Sequence, residues 1–227
     1  MSIWVYTNIE CTGCGHTFSD KTVDGLNLTR NPWIRQSILD GTLNTYRCPA
    51  CDQVIMLERP FTYTDLDRKQ LMLVRPRRHQ PAWRNAERDI EDLFHIYVAN
   101  EPSRTLFDAQ DLAAFKVRVV FGYAALREKL LLWDNGLDDA LVELVKMTLL
   151  RDRPELVARN FQHIVVDTVD REDHLLRLIL VRPDGTEPLL VDYDLDIVDE
   201  LESRRYDLEA SYPELFEHAF VDLRRYA

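Results

Sequence analysis

Residues 2–10, SIWVYTNIE, place β-branched and aromatic side chains at strand-like spacing, and residues 53–59, QVIMLER, do the same. Between these two ribbons lies NPWIRQSILDG, in which Asn31 is the expected N-cap, Pro32 the first helical position and Gly41 the residue just past the end. The pattern therefore predicts a short helix inserted between two strand-like segments. Residues 63–88 break this order. There, DRKQLMLVRPRRHQPAWRNAER gathers Arg68, Lys69, Arg75, Arg77, Arg78, Arg84 and Arg88 around two prolines, which reads as a basic, hinge-like connector.

Beyond the connector the period lengthens. Trp83, Ala86, Ile90, Leu93, Phe94, Tyr97 and Val98 recur at three- and four-residue spacing and predict an amphipathic helix. Leu126, Leu130 and Trp133 continue the helical pattern in GYAALREKLLLWDNG, which stops at Asn135-Gly136. A further helix is expected over residues 137–150, with Leu141, Leu144, Val145 and Thr148 on one side. From residue 161 the chain turns strand-rich, and Pro183-Asp184-Gly185 between two apolar runs signals an antiparallel hairpin. Two helical stretches, residues 197–206 and 213–226, close the chain.

Hydrophobic residues make up 46% of the 227 and charged residues 30%, the balance of a chain that folds around one good core with a smaller attached module. The opening MSIWVYTNIEC has no basic, apolar or small-residue cleavage region of a signal peptide, and no apolar run approaches the roughly 18 residues that span a bilayer. A cytoplasmic location without membrane contact is expected. The net charge of −11 is uneven: residues 1–90 hold 12 Lys and Arg against 10 Asp and Glu, so the remainder carries −13. This acidic back opposes nonspecific DNA binding by the whole molecule but leaves room for a local basic patch.

All four cysteines fall in two C-x-x-C pairs, Cys11/Cys14 and Cys48/Cys51. In a reducing compartment such pairs are metal ligands or redox groups before they are disulfides. Zinc takes four thiolates in a tetrahedron; each C-x-x-C turn points two sulfurs at one centre and frees backbone N–H groups toward them. Gly15 stands where a positive φ is needed after the first pair, and Pro49 stiffens the second. A single structural Zn site with ligands Cys11, Cys14, Cys48 and Cys51 is the expectation; an Fe–S cluster and a thioredoxin-like redox pair are the other readings. An all-cysteine site has no open position for water, so it holds structure and does no chemistry. His16 lies close by but is read as a surface histidine, because the thiolates already fill the tetrahedron.

The order Cys11-x-x-Cys14-Gly15, Asn27, Pro32, Ile38-Leu39, Gly41, Leu43-Asn44 and Cys48-Pro49-x-Cys51 resembles the CpXC-domain proteins of bacteria and archaea. FGYAALREKLLLWDNGLDD, residues 121–139, is similar to the helical part that follows the zinc module in that family. The resemblance covers most of residues 1–150 and implies a zinc-ribbon-like module with no assigned biochemical role and no catalytic residues. Asp52 departs from the glycine that commonly closes the second knuckle.

Two other constellations are candidates for contact with a partner. Asp192, Asp194 and Asp196 alternate with Val191, Tyr193, Leu195 and Ile197, which puts three carboxylates on one strand face, read first as solvated. Arg75, Arg77, Arg78 and Arg84 in the connector, with Trp83 beside them, offer a nucleic-acid alternative. His79, His95, His163, His174 and His218 show no metal-ligand spacing, and no nucleophile elbow, phosphate loop or dinucleotide fingerprint occurs. Catalysis is therefore not expected, although a site assembled from distant residues leaves no such trace.

These readings converge on an α+β protein: an N-terminal zinc ribbon with a helical insertion over residues 1–76, a helical region over 77–152, and an α+β region with an antiparallel hairpin over 153–227. The expected role is a zinc-stabilised protein-interaction module, with nucleic-acid association through the arginines as the alternative.

Overall fold

The computed structural model describes residues 2–99, 107–158, 163–182 and 187–226. The chain packs as two compact units, Met1–Leu126 and Arg127–Ala227. Both mix helices with sheet, so the α+β class holds, with three sheets among the described residues. No helix among them is long and apolar enough to cross a membrane.

In the first unit, β1 (Ile3–Glu10) and β2 (Thr17–Asn27) form an antiparallel hairpin, as do the short β3 (Thr45–Arg47) and β4 (Val54–Met56). Helix α1 (Trp33–Leu39) lies between the two hairpins in sequence, as expected, with Gly41 at φ +69° just past its end. Asn31, however, does not cap it. Its side-chain amide donates instead to Ser2 Oγ at 2.9 Å and to the Asn27 carbonyl at 3.3 Å, and Pro32 occupies the cap position. The helix is anchored through Ile34, Ile38 and the buried Arg35, whose guanidinium donates to Tyr63 Oη at 2.5 Å and Gln70 Oε1 at 3.2 Å.

The basic connector expected over residues 63–88 is a correction. Its first part is β5 (Phe61–Asp65) and β6 (Gln70–Arg75), an antiparallel pair at the heart of a five-stranded sheet ordered β1-β2-β5-β6-β7. A strand covered on both faces reads as a continuous apolar run, and Leu71-Met72-Leu73-Val74, all buried, is such a run. The flanking arginines obscured it. A 3₁₀ turn (Arg77–Ala82) then leads into α2 (Trp83–Tyr97), the expected amphipathic helix, which sets Ile90 and Ala86 into the core and packs against β6 and β7. The region expected to be helical also contains a strand, β7 (Lys116–Phe121), after the short α3 (Ala109–Ala113). It runs parallel to β6, a pairing that requires a crossover such as α2 provides.

Helix α4 (Tyr123–Asp134) ends at Asn135-Gly136 as expected, with Gly136 at φ +67°. In the second unit α5 (Asp139–Asp152) follows, capped by the Asp138 carboxylate, which accepts from the Ala140 N–H at 2.8 Å. After α6 (Pro154–Ala158) come β8 (His163–Asp170), β9 (Leu175–Val181) and β10 (Leu189–Asp194), an antiparallel sheet ordered β10-β9-β8. The Pro183-Asp184-Gly185 turn lies outside the described residues; the β9–β10 pairing on either side is antiparallel, with Leu189 opposite Leu180. Three short helices, α7 (Asp196–Ser203), α8 (Arg205–Ser211) and α9 (Pro213–Glu217), and a 3₁₀ turn (Leu223–Tyr226) complete the chain. Beneath them Lys129 and Lys146 are buried among Glu128, Asp139 and Glu143, and Lys129 Nζ also reaches the Val221 carbonyl at 2.8 Å.

Candidate metal centre

Each cysteine pair forms the turn of one hairpin. Strand β1 ends at Glu10, the six residues Cys11–His16 turn, and β2 begins at Thr17; β3 ends at Arg47, the six residues Cys48–Gln53 turn, and β4 begins at Val54. The two turns share one hydrogen-bond pattern. Cys11 N–H donates to the His16 carbonyl at 2.9 Å and Gly15 N–H to the Cys11 carbonyl at 2.8 Å; Cys48 N–H donates to Gln53 and Asp52 N–H to Cys48, both at 2.9 Å. Closing such a turn demands a left-handed residue at its fifth position, and Gly15 (φ +72°) and Asp52 (φ +60°) both supply it. Aspartate tolerates that region better than most residues, so the departure from glycine leaves the second turn intact.

The turns face each other. Cys11 Sγ lies 3.6 Å from Cys51 Sγ and Cys14 Sγ 3.7 Å from Cys48 Sγ, and all four sulfurs fall within 4.8 Å of one another. A tetrahedral ion with metal–sulfur bonds of about 2.3 Å needs sulfurs about 3.8 Å apart. The donor set and its spacing therefore fit a metal ion. The first cysteine of each pair points inward: Cys11 and Cys48 are buried with Ile9 and Ile55, flanked by Phe18, Tyr46 and Leu57. The second of each pair, Cys14 and Cys51, is exposed.

Backbone N–H groups converge on the sulfurs, as the sequence implied. The Cys14 N–H, aided by that of Gly13, favours the Cys11 thiolate and draws the thiol down to about 7 against the effect of burial. Cys51 accepts from the Gln53 N–H, yet the neighbouring sulfurs of Cys14 and Cys11 outweigh this and push its thiol up to about 12. Crowded thiols resist joint ionisation because each thiolate repels the next, and a bound cation removes that repulsion.

The second hairpin is fastened to β2. Tyr46 Oη donates to the Lys21 carbonyl at 2.8 Å; Asn44 accepts from the Val23 N–H at 3.1 Å and donates to Tyr123 Oη at 2.8 Å. His16 is exposed, its ring 6.4 Å from that of Phe18, and the clustered ligand atoms are the four sulfurs without it.

The other candidates are not assembled in the way the sequence suggested. Arg75 ends β6 and pairs with Asp89 at 3.1 Å; Arg77 lies in the 3₁₀ turn with its N–H on Glu58 at 2.9 Å; Arg78 is exposed there; Arg84 lies on α2 over the Trp83 ring at 4.3 Å. Of the three aspartates, Asp192 and Asp194 share the exposed face of β10, but Asp196 belongs to α7, because the strand ends at Asp194. Asp192 sits opposite Arg177 and is held by it at 2.7 and 2.8 Å, which keeps its carboxyl below the usual range. His174 joins Asp194 and Asp196 in an exposed group whose ligand atoms lie within 4.8 Å. Sequence spacing missed it, because the approach depends on the β9–β10 register that sets Leu175 opposite Asp194.

Comparison with known proteins gives one family. The model described as CpXC protein matches residues 9–146, a span that begins two residues before Cys11 and includes both cysteine turns and the remaining strands of the five-stranded sheet. No curated protein matches the chain, and no solved structure does.

Proposed function

The chain belongs to the CpXC family, and on that premise we propose that it is a zinc-binding protein whose metal is structural, the core of a zinc ribbon that serves as a protein-interaction module. The observation that carries this reading is the pair of facing, equivalent cysteine turns, whose four sulfurs are enough to fill a tetrahedron without a water ligand. Zinc is preferred over iron because thiolate tetrahedra suit it and it is available; Fe²⁺ and Co²⁺ bind such sites too. Clamping the two hairpins through the ion would close a loop that the few apolar residues beneath the sulfurs could not hold alone.

A partner-binding role is supported by the apolar side chains that the hairpins leave to solvent: Tyr6 (72% exposed), Val54 and Met56. The acidic face of β10 offers a second contact surface. A cytoplasmic site of action suits thiols that must stay reduced to hold a metal. Nucleic-acid association is the second reading, favoured by the exposed Arg84 stacked on Trp83. It predicts affinity that falls steeply with salt and on charge reversal of Arg78 and Arg84, whereas a partner docking on Asp192 and Asp194 does not need them.

X-ray absorption at the zinc edge tests the structural assignment. Four sulfur neighbours at about 2.3 Å support it. An oxygen or nitrogen in the coordination sphere would mean an open site and point to chemistry at the metal.

A further inference from the structure

The two turns are equivalent in backbone but not in side chains. Gln53 and His16 occupy the same place, two residues after the second cysteine of their pairs. His16 lies on Phe18 of its own hairpin. Gln53 crosses to the other turn: its Nε2 donates to Thr12 Oγ1 at 3.3 Å, and its amide oxygen lies 3.6 Å from Cys11 Sγ. The facing turn has made room for it. A methyl group built on Gly13 would overlap Gln53 Oε1 and come within 2.9 Å of Gln53 Cδ. The equivalent position in the other turn is Ala50.

The two glycines of the first turn therefore serve different ends. Gly15 has a left-handed backbone and nothing within 4 Å of an added Cβ, so it is required by conformation. Gly13 is not left-handed; what it supplies is space, and that space is filled by the amide end of Gln53, which an added methyl group would push aside.

We propose that Gln53 is a positioning residue for the metal centre: a strut between the two turns that hydrogen-bonds the Cys11 sulfur and slows escape of the ion. The proposal rests on the metal-binding reading above. A thiol donates to the amide oxygen; a metal-bound thiolate only accepts, so it is the amide nitrogen of Gln53 that serves the loaded centre, an exchange of two atoms that are related by a half-turn of the same group. Groups that hydrogen-bond metal ligands commonly alter affinity by about 10–100-fold.

The test uses the full chain loaded with Zn²⁺, and the rate at which a chromophoric chelator withdraws the metal, with Co²⁺-loaded protein as a spectroscopic control. Gln53→Ala should speed release several-fold and shift the sulfur-to-cobalt absorption band. Gln53→Glu, which brings a negative charge to the thiolates, should speed it by about 10-fold or more. Gly13→Ala should match Gln53→Ala, and the double variant should release metal no faster than either single one, because both remove the same contact. Equal rates in wild type, Gln53→Ala and Gln53→Glu would overturn the strut while leaving the metal centre standing. Multiplying effects of Gly13→Ala and Gln53→Ala would overturn it too. A wild-type chain that takes up neither ion would overturn the metal reading itself, and the strut with it.

Discussion

Gly15 and Asp52 stand at the same point of two equivalent turns, each four residues after a buried cysteine, each left-handed, and each donating its N–H to that cysteine's carbonyl at 2.8 and 2.9 Å. One is the residue that this backbone prefers and the other is not. An L-residue in this region costs about 1–2 kcal/mol, somewhat less for aspartate. Asp52→Gly should therefore stabilise the loaded protein by up to about 1 kcal/mol, part of the gain being lost to the greater freedom of glycine in the unfolded chain. Gly15→Ala should destabilise it by about 1 kcal/mol, entirely through conformation, since the space is open. Urea unfolding of the metal-loaded variants reads both signs; a neutral Gly15→Ala would refute the equivalence.

Cys48 is both a proposed ligand and part of the small apolar cluster under the turns, at 0% exposure. Cys48→Ala should abolish stoichiometric metal binding and cost at least about 3 kcal/mol. For a domain of this size that lowers the melting midpoint by roughly 6–12 °C. Scanning calorimetry with elemental analysis of the same sample checks it, and an unchanged midpoint with metal retained would exclude the site.

Acid should weaken metal binding, and more steeply below neutrality than above it. Cys11 is drawn from 9.0 down to about 7, chiefly by the Cys14 N–H. A depressed pKa contributes stability to the metal-free fold above the free thiol value, and that contribution is lost as the pH falls through 7. Metal binding therefore displaces more proton from Cys11 at pH 6 than at pH 8, while Cys51, pushed up to about 12, gives up its proton at either. Calorimetric titration with zinc in buffers of different ionisation enthalpy should register the larger proton release at the lower pH. Proton release that is constant across this range would contradict the assignment.

In the second unit Lys146 is buried with its Nζ on Glu128 and 2.7 Å from Glu143. Burial opposes its cation, but the Glu128 and Glu143 carboxylates overcome this and raise its pKa. Removing the lysine alone takes the shared cation from two buried carboxylates, of which Glu143 keeps Lys129 at 3.7 Å and the Leu223 N–H at 2.9 Å, so Lys146→Ala should cost about 3 kcal/mol. The Lys146→Met/Glu128→Leu double variant should recover part of that loss, because desolvated charges are removed together with their partner. Urea denaturation distinguishes this from simple loss of packing, for which the second substitution would add to the first.

How much of this was legible beforehand depended on whether the signal was local. The cysteine turns were, because residue type, spacing and the glycine after Cys14 all fall within a few residues. Helices α2, α4 and α5 announced themselves by period and by Asn135-Gly136. Strands β6 and β7 did not. A central strand has no alternation to display, and four arginines next to Leu71-Met72-Leu73-Val74 made buried sheet resemble a linker. The approach of His174 to Asp194, and of Gln53 to Gly13, depended on strand register and on two hairpin turns facing each other, which no single stretch of sequence encodes.

The proposed function stands on four sulfurs holding one ion. Elemental mass spectrometry of purified protein, paired with thiol titration before and after chelation, tests it most directly. One zinc per chain is expected, with four thiols that become reactive together when the metal is withdrawn. A chain without metal, whose thiols react separately from the start and cycle with a disulfide, would contradict it and make redox chemistry at the cysteine pairs the better explanation.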